Sequence, residues 1–121
     1  MPTTSGHTKA IRAGRVIGAH VRDLTGKRIG EVEDVMLDKE SNEILFAVVG
    51  FGGYLGEPGK YHPIPWAALE FDEDQNAYVM SYTKELLQGA PAGSIEELKR
   101  DDGQEFRERS HAYYKVPLDG E

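Results

Sequence analysis

Residues 26–37 have the sequence GKRIGEVEDVML, and residues 44–49 have the sequence ILFAVV. The first stretch alternates apolar and polar side chains, as a half-buried strand does, except at the Glu-Asp pair of residues 33–34. We expect a β-bulge there, which returns Val35 and Leu37 to the inner face of the sheet. The second stretch is apolar at every position, which is typical of a central strand that is covered on both sides.

Short extended segments, separated by residues typical of turns, flank these two strands. Further strands are predicted at residues 16–21, 61–64, 69–71 and 77–82. Pro63 and Pro65 place the 61–64 segment at a sheet edge or near the end of a strand, because proline cannot donate a backbone hydrogen bond. A short helix is predicted at residues 83–88, with Thr83 as its N-cap and Gly89 just past its end. The whole pattern predicts a small, mainly β barrel or sandwich.

The chain divides by composition into three segments. Residues 1–9 are small and polar, and we expect them to form a flexible tail. Residues 10–91 hold most of the large apolar residues and form the predicted domain. Residues 92–121, which we call the C-terminal extension, are rich in charge and too poor in apolar residues to fold by themselves.

The C-terminal extension has the pattern of two helical pieces. Ser94 and Glu97 have the spacing of a capping box, which predicts the start of a helix. Residues 102–103, Asp-Gly, interrupt the pattern, and beyond them Phe106 and Tyr113 are spaced to line one helical face. Such an extension packs either on its own domain or on a second copy of the chain. We therefore predict a homo-oligomer.

Composition and charge exclude several classes of function. The 121 residues carry a formal net charge of −7 and include no cysteine, so disulfides, thiolate metal sites and a cysteine nucleophile are excluded. An acidic surface repels phosphate groups, and we expect no direct binding to nucleic acid. The longest apolar run, residues 44–49, is too short for a transmembrane segment. Residues 1–7 lack the apolar segment of a signal peptide, so a cytoplasmic location is expected.

Motifs for catalysis and cofactor binding are not matched. Residues 50–60, GFGGYLGEPGK, lack the glycine spacing of both the phosphate-binding loop and the dinucleotide fingerprint. Residues 72–83 begin like a calcium-binding loop but lack the glycine at its sixth position and the glutamate at its twelfth. No serine stands in a Gly-x-Ser-x-Gly setting. We therefore predict no enzymatic activity, no cofactor and no metal.

The histidines leave one alternative function open. The four histidines are scattered, and none has the spacing of a metal-binding pair on a helix. His20 and His62 can meet only if their strands come together, beside nearby carboxylates. Their convergence in one pocket would favour a small-ligand or metal sensor that uses the mouth of the barrel. Scattered, hydrated positions would favour a protein-binding module.

A longer pattern resembles a known family. The matching segments are AGRVIG (13–18), GKRIGEVEDV (26–35), AVVGFGGYLG (47–56), IPWAAL (64–69) and TKELLQGAP (83–91). In this order and at these spacings, the chain resembles the PRC-barrel family, which is named after the cytoplasmic domain of the photosynthetic reaction-centre H subunit. The same domain occurs in the ribosome maturation factor of the small subunit and in stand-alone bacterial proteins. The resemblance covers about residues 10–91.

The resemblance implies a small, highly curved barrel of six antiparallel strands that has no enzymatic activity. It also implies an adaptor or assembly module with a protein partner. The residues that match structural positions of the family are Gly26, Gly30 and Asp34 in the first hairpin and Gly52, Gly53 and Gly56 in the loop. No membrane helix precedes the barrel, so we expect at most a peripheral association with a membrane complex.

Aromatic and apolar residues in and after the glycine-rich loop are the candidates for the protein-binding surface. These candidates are Tyr54, Leu55, Tyr61 and Trp66. Tyrosine and tryptophan are enriched at interface centres, because they bury a large area and keep a polar group. The alternative is structural: Leu55 folds back over one end of the barrel, and Trp66 belongs to the core.

Overall fold

The computed structural model describes residues 10–56 and 59–118. Within these residues, the strands are β1 (His20–Arg22), β2 (Arg28–Leu37), β3 (Ile44–Gly50), β4 (His62–Ile64), β5 (Glu70–Asp72) and β6 (Ala77–Val79). The α-helices are α1 (Ala13–Val16), α2 (Lys84–Gln88), α3 (Ile95–Leu98) and α4 (Gln104–Tyr114). Single 3₁₀ turns lie at Gly52–Tyr54, Trp66–Ala68 and Arg100–Gly103. The protein is therefore mainly β, with short helices.

The six strands form one sheet in the order β4-β3-β2-β1-β6-β5. All neighbouring strands are antiparallel except β1 and β6, which pair in parallel through Val21 and Tyr78. The prediction of a purely antiparallel arrangement was therefore wrong, and the sheet is mixed. The physical reason lies between β4 and β5, where a 3₁₀ turn replaces a hairpin and leaves the two strands running in the same direction. This connection brings β6 back parallel to β1.

The expected closure into a barrel is not seen in the hydrogen bonding. Among the described residues, β4 and β5 are the two ends of the strand order, and no ladder joins them. Instead, Gly93 pairs with Tyr61, the residue just before β4. The Gly93 amide donates to the Tyr61 carbonyl at 3.0 Å, and the Gly93 carbonyl accepts from the Tyr61 amide at 2.8 Å. The predicted edge position of the proline-containing segment is confirmed, because β4 ends the sheet.

Strand β3 is covered on both faces, as its apolar sequence predicted. Residues 45–49 are all buried. On one face, Ala47 and Val49 belong to the first hydrophobic cluster, which includes Val21, Val32, Phe51, Leu55, Ile64, Tyr78, Met80 and Tyr114. On the other face, Phe46 and Val48 belong to the second cluster, which is completed by Leu45, Leu98 and Phe106. The C-terminal extension therefore packs on the sheet of its own chain.

Strand β2 contains the predicted bulge. Val32 pairs with Val49 and Asp34 pairs with Val48, which leaves Glu33 as the extra residue. Val35 is half-buried, but Leu37 is 57% exposed. The expected inward position of Leu37 was wrong, because Leu37 is the last residue of β2 and lies at a second register shift, where the pairing with β3 is irregular and Leu45 is the extra residue.

The segment before β1 differs from its prediction. Residues 16–21 were expected to form one strand, but α1 ends at Val16 and β1 begins at His20. Gly18 lies between them with a φ of 92°, a conformation that interrupts an extended strand. The chain still remains beside β2, because the Gly18 amide donates to the Val32 carbonyl at 2.7 Å and the Val32 amide donates to Ala19 at 2.9 Å.

The predicted helix starts are confirmed in both parts of the chain. The Thr83 hydroxyl accepts a hydrogen bond from the Leu86 amide at 3.2 Å and caps α2. Ser94 and Glu97 form a complete capping box at the start of α3. Each cap satisfies amides that a helix leaves without an internal partner.

Candidate protein-interaction surface

Two neighbouring candidates in the glycine-rich loop after β3, Tyr54 and Leu55, differ in burial. Leu55 is 6% exposed and lies in the first cluster, so it is a core residue, as the structural alternative described. Tyr54 packs against the same cluster but remains half-exposed. Leu55 is therefore buried beneath the loop, and Tyr54 is the partly exposed aromatic side chain among the exposed glycines at positions 52, 53 and 56.

Glycines allow β2 and β3 to come close beneath this loop. A Cβ atom at Gly30 would lie 2.7 Å from the Gly50 carbonyl oxygen and 2.9 Å from Cδ1 of Phe51, which is closer than atoms pack. Gly30 is therefore required by the close approach of the two strands. The φ angles of Gly26, Gly52 and Gly56 are 90°, 53° and 75°, whereas that of Gly53 is not positive.

Asp34 is exposed, and its carboxylate accepts from the Val35 amide at 2.8 Å beside the bulge.

Two lysines from distant parts of the chain meet at the Tyr54 ring. The Nζ atom of Lys27, in the β1–β2 turn, lies 5.3 Å from the centre of the ring. The Nζ atom of Lys84, the first residue of α2, lies 5.2 Å from the same centre. An ammonium group within about 6 Å of an aromatic face is attracted by the negative charge of that face. The ring therefore holds two positive charges near one point of the surface.

Hydrogen bonds within the β1–β2 turn position the backbone that carries Lys27. The Asp23 carboxylate accepts hydrogen bonds from the Thr25 hydroxyl at 2.6 Å and from the Lys27 amide at 3.0 Å. The bond from the Thr25 hydroxyl is the main reason that the pKa of Asp23 lies below its usual value. The same turn presents Leu24, which is 74% exposed. We call Leu24, Lys27, Tyr54 and Lys84 the Tyr54 surface.

The other two aromatic candidates make different contacts. Tyr61 pairs with Gly93 and packs against the second cluster, and it remains half-exposed. Trp66 packs against the first cluster, and its ring centre lies 5.7 Å from that of Tyr78. Trp66 also lines a groove of about 430 Å³ between the β2–β3 turn and the end of the C-terminal extension. The four candidates therefore do not form one patch, and only Tyr54 belongs to the surface defined above.

The two histidines considered for a sensor site lie on different strands. His20 is exposed on β1, and His62 is 2% exposed on β4, with β2 and β3 between the two strands. The His62 ring packs edge-on against Phe51, with 5.1 Å between the ring centres. Among the residues that the structure describes, no group of three or more histidine or carboxylate side chains is placed to hold a metal ion.

Sequence reasoning did not find Lys27 and Lys84. They are far apart in the chain, and each follows a turn or cap residue that explains its position locally. No spacing rule connects them, because their meeting depends on where the β1–β2 turn and α2 lie in the folded protein.

Within residues 10–56 and 59–118, no helix has both the length and the apolar character needed to cross a lipid bilayer.

Two comparisons with known proteins bear on the family of this chain. A search of curated proteins found no match to the chain. The family model of the PRC-barrel domain matches residues 9–87, which is more than half of the chain. The matched region includes all four residues of the Tyr54 surface and ends before the C-terminal extension. The chain therefore belongs to the PRC-barrel domain family.

Proposed function

We propose that this protein is a non-enzymatic adaptor or assembly module that binds a protein partner through the Tyr54 surface. The observation that carries the proposal is the half-exposed Tyr54 ring, with the ammonium groups of Lys27 and Lys84 at 5.3 and 5.2 Å from its centre. An aromatic ring flanked by cations combines apolar area with charge, and tyrosine is enriched among the residues that carry most of the binding energy at interfaces.

The contacts of the loop support this proposal, because they hold Tyr54 against the core. Leu55 is buried directly after Tyr54, and the Tyr54 amide donates to the Phe51 carbonyl at 2.9 Å. A ring held in place before binding loses little conformational freedom when a partner arrives. Loop residues supported by a rigid sheet are also common positions for binding residues in proteins.

The predicted homo-oligomer remains a separate prediction. It depended on a C-terminal extension that could pack on a second copy, whereas Leu98 and Phe106 are buried in the second cluster of their own chain. Light scattering at micromolar concentration measures the mass, and a monomer mass would contradict the oligomer without affecting the proposed adaptor role.

Affinity capture from the native cells tests the adaptor role. The tagged wild-type chain is compared with Tyr54→Ala and with Tyr54→Phe, and bound proteins are identified by mass spectrometry. We expect Tyr54→Ala to lose a protein that the wild type retains, and Tyr54→Phe to keep it, because phenylalanine preserves the ring. Equal capture by the wild type and Tyr54→Ala would contradict the proposal. Unchanged melting temperatures serve as the control for folding.

A further inference from the structure

We infer that the Tyr54 surface recognises an acidic segment of its protein partner, one that carries carboxylates beside an apolar side chain. This inference depends on the proposed adaptor function and specifies the chemistry of its partner. It follows from the charges, the neighbouring acidic groups and the exposed apolar area at this surface.

The two ammonium groups of Lys27 and Lys84 lie around one ring, so they repel each other. The Nζ atoms lie 5.3 and 5.2 Å from the same ring centre, so they are at most about 10.5 Å apart, a distance comparable to the length over which physiological salt screens charge. The attraction of the ring offsets some of this cost. A carboxylate from another molecule would offset the remaining repulsion between the two ammonium groups. The surface is therefore suited to an anionic ligand.

Ion pairing within the described part of the chain neutralises neither charge, although the charge of Lys27 also helps to lower the pKa of Asp23. Among the described residues, no carboxylate oxygen lies within 4 Å of the Nζ atom of Lys27 or Lys84. The Asp23 carboxylate accepts bonds from its own turn, and the Glu31 carboxylate pairs with Arg28 at 3.1 Å. The positive surface thus persists on a chain whose formal net charge is −7.

The size and surroundings of the positive surface favour an acidic protein segment over a polyanion. Two lysines are enough to meet one or two carboxylates, whereas a nucleic acid or an anionic membrane presents an extended array of charges. That array would also meet Glu33, an exposed acidic residue that lines the same groove as Tyr54, and the negative net charge would repel it.

Exposed apolar area completes the description of the partner. Leu24 is 74% exposed in the turn that carries Lys27, and the Tyr54 ring is half-exposed. Both can contact an aliphatic or aromatic side chain beside the partner's carboxylates. Such a contact would add the burial of apolar surface to the charge attraction, which is weak at an exposed site by itself.

The test combines affinity capture with a zero-length carbodiimide reagent, which joins a lysine amine to a carboxylate in contact with it. The charge variant is Lys27→Gln with Lys84→Gln, and its matched control is Lys39→Gln with Lys99→Gln, which changes the net charge equally. We expect the charge variant to capture at least tenfold less of the partner, and the control to capture the wild-type amount. Lys27→Arg with Lys84→Arg should restore capture, because arginine keeps the charge.

Cross-linked peptides give a second readout on the wild-type chain. We expect Lys27 or Lys84 to be joined to an aspartate or glutamate of the captured protein, and capture to weaken as salt is raised. Links from these lysines to a second copy of this chain would overturn the inference, as would capture that requires nucleic acid or lipid.

The outcomes separate this inference from the proposed function. Loss of the partner in Tyr54→Ala with full capture by the charge variant would overturn the acidic-segment inference and leave the adaptor role intact. Full capture by both variants, or no protein retained by the wild type, would overturn both. Melting temperatures within a few degrees of the wild type show that the charge variants are folded.

Discussion

The two faces of β3 are equally buried, but different parts of the chain cover them. Ala47 and Val49 pack into the first cluster, nearly all of whose residues lie within the family match. Phe46 and Val48 pack against Leu98 and Phe106, which lie beyond it. The C-terminal extension is thus part of the hydrophobic core, and the region that defines the family leaves one face of its central strand for later residues to cover.

The largest expected effect comes from removing one aromatic ring from each cluster. Phe106→Ala in the second cluster and Phe51→Ala in the first should each lower the free energy of unfolding by about 3–5 kcal/mol, because both side chains are almost fully buried. Urea unfolding measures both values. A loss below about 1 kcal/mol for Phe106→Ala would show that the extension does not cover β3, since surface substitutions cost about that little.

Two glycines at close approaches give the next comparison. A Cβ atom at Gly103 would lie 3.0 Å from Cδ1 of Leu45, and the φ of Gly103 is 81°. A Cβ atom at Gly30 would lie 2.7 Å from a backbone oxygen of Gly50. We expect Gly103→Ala and Gly30→Ala each to cost about 1–3 kcal/mol through crowding. Gly14→Ala is the control, because its added Cβ would meet nothing within 4 Å.

The smallest effect should come from the helix caps. Ser94→Ala in the extension and Thr83→Ala in the family region should each cost about 1 kcal/mol, the usual contribution of an N-cap side chain. Thermal unfolding of the two variants measures these costs. Equal costs would show that local helix starts contribute alike in both regions, and no cost at Ser94 would contradict the capping box.

The capping box also predicts a dependence on pH. Hydrogen bonding to the Ser94 backbone is the main cause that lowers the pKa of Glu97 below its usual value. A carboxylate with a lowered pKa in the folded state adds stability above its unfolded pKa and loses it as the pH falls through the folded value. Ser94→Ala keeps the backbone amide, so the variant that tests this dependence is Glu97→Gln, which removes the charge. The difference in stability between wild type and Glu97→Gln should be largest near neutral pH and should shrink in acid.

Local patterns predicted much of the fold. The bulge after Val32, the two-sided burial of β3 and the caps at Thr83 and Ser94 were all confirmed. Each of these depends on residues within a few positions of one another or on alternation along one strand. The burial of Leu37 was predicted wrongly from the same kind of pattern, because alternation does not show where a strand ends or where its partner strand adds a residue, which here is Leu45.

The candidate surface was predicted only in part. Tyr54 was selected as an aromatic residue in a polar loop, and the structure places it half-exposed. Leu55 follows it in the chain but lies in the core, and no pattern in a glycine-rich loop distinguishes the two. Lys27 and Lys84 were missed, because their meeting at one ring depends on the positions of a turn and a helix from distant parts of the chain.

The amino-acid sequence by itself determined most of the strands and turns, the helix caps and the family of this protein, because these follow from periodicity and from contacts between near neighbours. Only the tertiary structure decided the parallel pairing of β1 with β6, the packing of the C-terminal extension on β3 and the charges around Tyr54. Each of these joins residues that are far apart in the chain. Such contacts form only when all of the strands are in place, since burial of the whole core offsets the entropy lost in closing long loops.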